Sequence, residues 1–233
     1  MSGSGTEVEV LAFDVFGTVV DWHGSICREV KSLELVADPA AFARAWREGY
    51  VPAMQRVRSG ELGWTKIDDL HRMILDQVIE DYGLQLTESR RVELNKVWHR
   101  LDPWPDTVAG LQRLKAGFTI CTLSNGNLAL LANMAKHADL PWDLILSAEV
   151  FKAYKPDKES YLGVAEVFGT TPEKVMLVAA HQSDLDAARR YGLKTAYIER
   201  PFEYGTDQIK EVTGDESNDF HATDFNDLAD QLL

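Results

Sequence analysis

Hydrophobic and polar positions follow two rhythms along this chain. A short apolar run (Val10, Leu11, Ala12, Phe13) leads into Asp14 and then into a turn at Phe16-Gly17-Thr18. A short apolar run bounded by turn signals predicts a buried strand of a parallel sheet. From about residue 24 to 101 the spacing becomes helical. Asp38-Pro39 opens a helix, Ala41, Ala45, Trp46 and Val51 fall near a 3.6 period, and Gly60 supplies a stop. Thr65 opens a second helix, with Ile67, Leu70, Ile74, Leu75 and Val78 on one stripe and Gly83 at its end. Thr87 opens a third, with Val92, Leu94, Val97 and Trp98 as its apolar positions.

Beyond Pro103 strand and helix alternate. Helical patterns cover about 106–116, 127–138, 160–168 and 185–191, and apolar strand-like runs cover 118–123, 144–146, 175–180 and 195–198. Such alternation predicts an α/β architecture, a parallel sheet with helices on both faces. The first strand must join that sheet, so the early helices form an inserted bundle. The expected division is a core of residues 1–21 and 102–233 and a helical cap of residues 22–101, with Pro103 and Pro105 at the return.

Composition narrows the classes of partner. The chain has 233 residues, 45% hydrophobic and 26% charged, enough for a sizeable core. A formal net charge of −13 argues against nucleic acid or an anionic membrane as partner, but leaves room for a small anion met by local cations. Two cysteines, Cys27 and Cys121, make no disulfide framework, and Cys121 in an apolar run is expected to be a buried thiol. The expected compartment is reducing, the cytoplasm. Met1–Thr6 has the look of a flexible tail and not of a signal peptide, and no apolar run approaches a membrane span.

Each expected strand ends in polar residues: Asp14 and Thr18, then Ser124 and Asn125, then Lys155 beyond the third, then His181 and Asp184. Open α/β sheets bind ligands at this carboxyl edge. Alone, Asp14 reads equally as a turn cap, Asp184 as a helix N-cap and Lys155 as a solvated loop residue. Gathered at one edge, a carboxylate beside an ammonium stays ionised and can act as a nucleophile, and a second carboxylate can position or deprotonate water. The other histidines (His23, His71, His99, His137, His221) lack ligand spacing, so neither a metal nor a cofactor is expected. Trp64 and Trp98 read as core residues.

Four segments in order carry a resemblance: Phe13-Asp14-Val15-Phe16-Gly17-Thr18, Leu123-Ser124-Asn125-Gly126, Tyr154-Lys155-Pro156-Asp157 and Ala179-Ala180-His181-Gln182-Ser183-Asp184. The chain resembles the haloacid dehalogenase superfamily, and within it the L-2-haloacid dehalogenases of type II. Ala45-Trp46-Arg47 resembles the cap segment that carries that family's substrate arginine. The resemblance implies a Rossmann-like doubly wound core with a helical cap, and a homodimer. It also implies hydrolysis of short 2-haloacids by Asp14 attack on carbon through an ester. In that scheme Asp184 activates water, Lys155 and Thr18 hold Asp14, and Ser124 binds the substrate carboxylate. Arg47 receives the halide with Asn125 near it, and Tyr161 and Phe16 belong to the site. Superfamily phosphatases carry a second Asp two residues after the nucleophile; here Phe16 stands there. Where the type II pattern has Ser-Ser-Asn, this chain has Ala179-Ala180-His181, a form resembling members active on fluoroacetate, and His181 is expected to add a donor to the leaving halide. A magnesium-dependent phosphatase and a non-catalytic binding protein on the same scaffold are the competing readings.

Overall fold

The computed structural model describes residues 7–212 and 214–233. The expectation for Met1–Thr6 falls outside the described residues. Val10–Phe13 forms strand β1, buried at all four positions, as a strand covered on both faces must be. The chain then runs through a short strand β2 (Val20–Asp21) into α1 (Trp22–Ser32), α2 (Pro39–Glu48), α3 (Tyr50–Arg58), α4 (Ile67–Asp81) and α5 (Glu88–Asn95). Strand β3 (Asp102–Pro103) pairs antiparallel with β2. The helical segment therefore leaves the sheet layer and returns to it at one place.

From there the order is α6 (Thr107–Gly117), β4 (Thr119–Ser124), α7 (Leu128–His137), β5 (Leu144–Ser147), α8 (Ala148–Phe151), α9 (Lys158–Phe168), β6 (Val175–Ala179), α10 (Gln182–Arg190), β7 (Lys194–Ile198), β8 (Phe220–Ala222) and α11 (Phe225–Leu232). The six-stranded sheet has the order β5-β4-β1-β6-β7-β8, and every pairing in it is parallel. Alternate residues of β1 serve opposite faces. Leu11 and Phe13 pack with Leu111, Leu114, Phe225 and Leu228, whereas Val10 and Ala12 pack with Val164, Leu185 and Ala188. That period-two division makes the sheet doubly wound.

Several elements depart from the sequence reading. The helix expected from Asp38 to Gly60 is two helices, α2 and α3. Pro52 cannot donate to the carbonyl of Glu48, four residues back, so the ladder breaks near Gly49. Gly49 also lies against α4, where an added Cβ would meet Ile74 at 2.4 Å. Helix α1 was not foreseen, although Asp21 caps it through the Gly24 N–H and Trp22, Ile26 and Val30 are buried along one stripe. The C-terminal pair β8 and α11 was also missed. Its capping Asp224 and buried Phe225, Leu228 and Ala229 carry the signal, but the run is short and set among acids.

Helix α11 closes the face beside α6 through a tight approach. A Cβ at Gly110 would lie 2.3 Å from the Cβ and 2.8 Å from the backbone carbon of Phe225. Gly110→Ala should therefore lower stability by about 1–3 kcal/mol, the usual cost of overpacking, as a shift of the urea midpoint with unchanged slope. Retained stability would mean that α11 moves freely.

Candidate active site

In this sheet the connection from β1 runs toward β4, while the connection from β6 runs toward β7. The carboxyl ends of β1 and β6 thus flank the point where the winding reverses, the usual position for a ligand crevice. Asp14 follows β1 and His181 and Asp184 follow β6.

Asp14 is 7% exposed, and its backbone N–H donates to Val178. Its carboxylate receives three side-chain donors. Lys155 Nζ donates to Oδ1 at 2.8 Å. Thr18 donates to Oδ2 at 2.7 Å, and His181 Nδ1 lies 3.2 Å from the same oxygen. The Ala180 N–H donates to the Thr18 hydroxyl at 2.9 Å, so the Thr18 proton is left for Asp14. Burial opposes the charge on Asp14, but the Lys155 ammonium and His181 outweigh it and hold the carboxyl far below the usual range.

The same ammonium donates to Asp184 Oδ2 at 2.5 Å, and Tyr161 donates to Asp184 Oδ1 at 2.6 Å. Burial would strip the proton from Lys155, yet the two carboxylates push its pKa above that of a free lysine. The backbone N–H of Lys155 donates to the Asn125 side chain at 2.8 Å, which ties the β4 and α9 loops together.

A cavity of about 360 Å³ opens beside this cluster. Asp14, Lys155, Asp184 and Tyr161 line it, together with Phe16, Arg47, Asn125 and His181. Phe16 is 4% exposed and meets Trp98, His71 and Tyr50 edge to face, with centroids 5.7, 6.2 and 6.3 Å away. It joins the sheet edge to the helical segment as an apolar wall. The Arg47 guanidinium lies 4.2 Å from the Tyr50 ring centroid and 5.7 Å from that of Trp22, a cation held on aromatic faces. Among the described residues it has no carboxylate partner. The rim adds Arg190, so a strongly acidic chain brings Arg47, Lys155 and Arg190 to this cavity.

Two expected residues do not line the cavity. Thr18 is fully buried behind Asp14. Ser124, expected to bind a substrate carboxylate, is 1% exposed; its oxygen accepts the Gly126 N–H at 3.0 Å inside the turn after β4. The halide-donor role expected of His181 also meets an obstacle. Its Nδ1 faces Asp14 and its Nε2 faces Glu203 at 2.8 and 3.0 Å, so both ring nitrogens are taken. Trp98 is core, stacked on His71 at 4.1 Å, and Trp64 stacks on Tyr154. Cys121 is buried as expected, and Cys27 is half-buried.

Sequence reasoning missed Glu203, Tyr50 and Tyr204. Tyr50 and Tyr204 line the cavity, and Glu203 is fully buried against His181. None sits in a recognisable motif. Tyr50 had a usable signal, since in the single helix read from Asp38 to Gly60 it falls three residues after Arg47, on the same face.

Lys155 lies between the carboxylates of Asp14 and Asp184. The position where a phosphatase carries its second Asp, the general acid, is the apolar Phe16. Among the described residues no group of three or more His, Cys, Asp or Glu side chains is placed to hold a metal ion.

Comparison with known proteins agrees with this geometry. The family model for haloacid dehalogenase-like hydrolases matches residues 8–192. The (S)-2-haloacid dehalogenase 4A of Burkholderia cepacia is 30% identical over 199 residues, covering 81% of each chain. The crystal structure of an L-2-haloacid dehalogenase superposes with a TM-score of 0.93 at 45% identity, covering 97% of this chain and 100% of that one. A second, of a defluorinating L-2-haloacid dehalogenase, gives 0.92 at 44% identity, covering 97% and 95%. With the family model spanning most of its length, and with the sheet order and the four strand-end segments in place, this chain belongs to the haloacid dehalogenase-like hydrolases.

Proposed function

We propose that this protein hydrolyses short-chain 2-haloacids, haloacetates and L-2-halopropionates, to 2-hydroxy acids. The observation that carries the reading is an ionised, buried Asp14 held by Lys155, with an aromatic wall at Phe16 where a phosphatase needs an acid. Relatives named as (S)-2- and L-2-haloacid dehalogenases support the same substrate class.

Asp14 attacks the carbon bearing the halogen, displaces halide with inversion and forms an ester. Water then adds to the ester carbonyl, with the Asp184 carboxylate taking its proton. Lys155 holds both carboxylates in register and Tyr161 fixes the second oxygen of Asp184. Arg47 receives the halide; an always-charged, multi-donor cation on aromatic faces suits an anion emerging in a sheltered cleft. Asn125, also on the cavity wall, lies on the same route. Phe16 and Tyr50 keep that region apolar. The substrate carboxylate has Arg190 at the rim as a cationic partner. The segment 22–101 serves as the cap over residues 7–21 and 102–233.

The deciding measurement is halide release from fluoro-, chloro- and bromoacetate and from both enantiomers of 2-chloropropionate, with EDTA present. Release that favours the L enantiomer and resists EDTA is expected. Magnesium-dependent phosphate release without halide release would overturn the reading. Fluoroacetate belongs in the panel because a relative 44% identical is described as defluorinating.

Tyr161→Phe removes one charge-assisted hydrogen bond to Asp184. Such bonds contribute about 1.5–3 kcal/mol, so kcat should fall roughly 10- to 150-fold with little change in KM. An unchanged kcat would remove Tyr161 from the site.

Free thiols at Cys27 and Cys121 support a cytoplasmic location. No helix among the described residues is long and apolar enough to cross a membrane. A homodimer completes the proposal, and light scattering in solution tests it.

A further inference from the structure

Glu203 is a fully buried carboxylate in the loop after β7. Such a group is costly unless paired. Lys210 Nζ donates to its Oε2 at 2.7 Å and to the carbonyl of Ala180 at the same distance. Trp22 Nε1 donates to its Oε1 at 3.3 Å. The remaining partner is His181 Nε2. The nucleophile loop is shaped around this carboxylate: a Cβ at Gly17, whose φ is +85°, would lie 2.3 Å from Glu203 Oε1. Glycine is therefore required there twice over, for its backbone and for the space.

The His181 ring thus lies between two carboxylates, Asp14 on Nδ1 and Glu203 on Nε2. Only the imidazolium donates to both; a neutral ring would turn a lone pair toward one of them. Burial works against that charge, but Glu203 and Asp14 prevail and raise the pKa to about 9. Burial likewise disfavours the Glu203 anion, yet His181 and Lys210 lower its pKa to about 2.

The two oxygens of Asp14 differ in consequence. Oδ2 accepts from both Thr18 and His181, so its in-plane lone pairs are used. Oδ1 accepts only from Lys155 among the described residues and keeps one lone pair free. We propose that Asp14 attacks through Oδ1, and that His181, held charged by Glu203, itself pinned by Lys210, forms with Thr18 an oxyanion hole around Oδ2 for the hydrolytic step.

This inference rests on the proposed dehalogenation. In the first step an Oδ1 lone pair forms the bond to carbon, the carbon–halogen pair leaves as halide, and Oδ2 becomes the ester carbonyl oxygen. In the second, water adds to Cγ of Asp14, its proton passes to Asp184, and the carbonyl π pair moves onto Oδ2. Collapse restores that carbonyl and breaks the Cγ–Oδ1 bond. Oδ1 leaves as the product hydroxyl, taking the proton back from Asp184. The regenerated Asp14 carboxyl then loses one proton to solvent. A donor on Oδ2 stabilises the carboxylate that is consumed in the first step, so it does not help that step. It helps the second, in which charge returns to Oδ2. His181 is thus a catalytic residue of the second half-reaction, and Glu203 a positioning residue acting through it.

Rapid-quench measurement with chloroacetate separates the steps. His181→Leu should release about one chloride per site in a burst and then turn over about 100-fold more slowly, as loss of an oxyanion donor does. Intact mass should show a carboxymethyl group on Asp14 during the slow phase. Slowing without a burst or adduct, or no slowing, would overturn the proposal. Absence of chloride release from the wild-type protein would instead overturn the dehalogenase reading. Glu203→Gln keeps the shape and removes the charge. Its hydrolytic step should fall off at lower pH than in the wild type, because Glu203 is the carboxylate that still faces the ring once Asp14 is esterified. The other charged groups around the ring (Asp14, Lys155, Asp184, Lys210 and Arg47) are unchanged in this variant, and an unmoved alkaline limb would also overturn the proposal.

Discussion

Asp14→Asn is expected to lower halide release by about four orders of magnitude or more, the scale of loss when a nucleophile is removed from a concerted group. A carboxamide has no anionic oxygen to attack carbon. It also turns an NH2 group toward donors, since Lys155 faces one oxygen of Asp14 and Thr18 and His181 face the other. The fold should survive, because the side chain keeps its size. Halide release in the steady state measures the first effect, and calorimetric binding of a non-reactive 2-hydroxy acid measures the second. Abolished turnover with retained binding separates an enzyme from a binding protein on the same scaffold. Activity within tenfold of the wild type would place the nucleophile elsewhere.

Lys155→Met is expected to cost both activity and stability. The three side chains are almost wholly buried, 8% exposed for Lys155, 10% for Asp14 and 11% for Asp184. Removing one partner from a buried ionic group leaves uncompensated charge and costs about 3–5 kcal/mol. Activity should fall by about three orders of magnitude, because one carboxylate must take up a proton to relieve the repulsion and then serves neither as nucleophile nor as base. The loss of stability has a pH dependence of known sign. The carboxyl pKa of Asp14 is depressed in the wild-type fold. It therefore contributes stability above the unfolded value of about 3.8, and that contribution is lost as the pH falls through the lower folded value. The gap in urea midpoint between wild type and variant should be full at neutral pH and shrink as the pH falls below about 3.8. A gap independent of pH would mean that Lys155 acts by packing alone.

Much of the site was legible because a parallel sheet turns sequence order into spatial convergence. Every strand of such a sheet ends at the same edge, so Asp14, Asn125, Lys155 and Asp184 had to meet once the alternation was read. The helical insert was legible through caps and stripes, but its breaks were not. Pro52 inside a helical pattern divides one expected helix into α2 and α3, and the consequence is local: Tyr50 opens the second helix and supports the Arg47 guanidinium. Helix α11 escaped because its apolar positions are few and it is stabilised by packing on α6 across Gly110, a contact far apart in sequence.

Ser124 and His181 show where strand-end position stops being informative. A residue at the right edge can still turn its side chain back into its own turn, as Ser124 does toward Gly126. It can also be claimed by a partner with no motif, as His181 is by Glu203 across 22 positions. The sequence by itself determined the parallel sheet with helices on both faces, the acidic residue at the end of its first strand and the aromatic at position 16, because periodicity and strand-end chemistry are local properties. Only the tertiary structure decided which oxygen of Asp14 is free, which cations reach the cavity and why His181 is charged. Those depend on distances of a few ångströms between segments whose separation along the chain carries no signal.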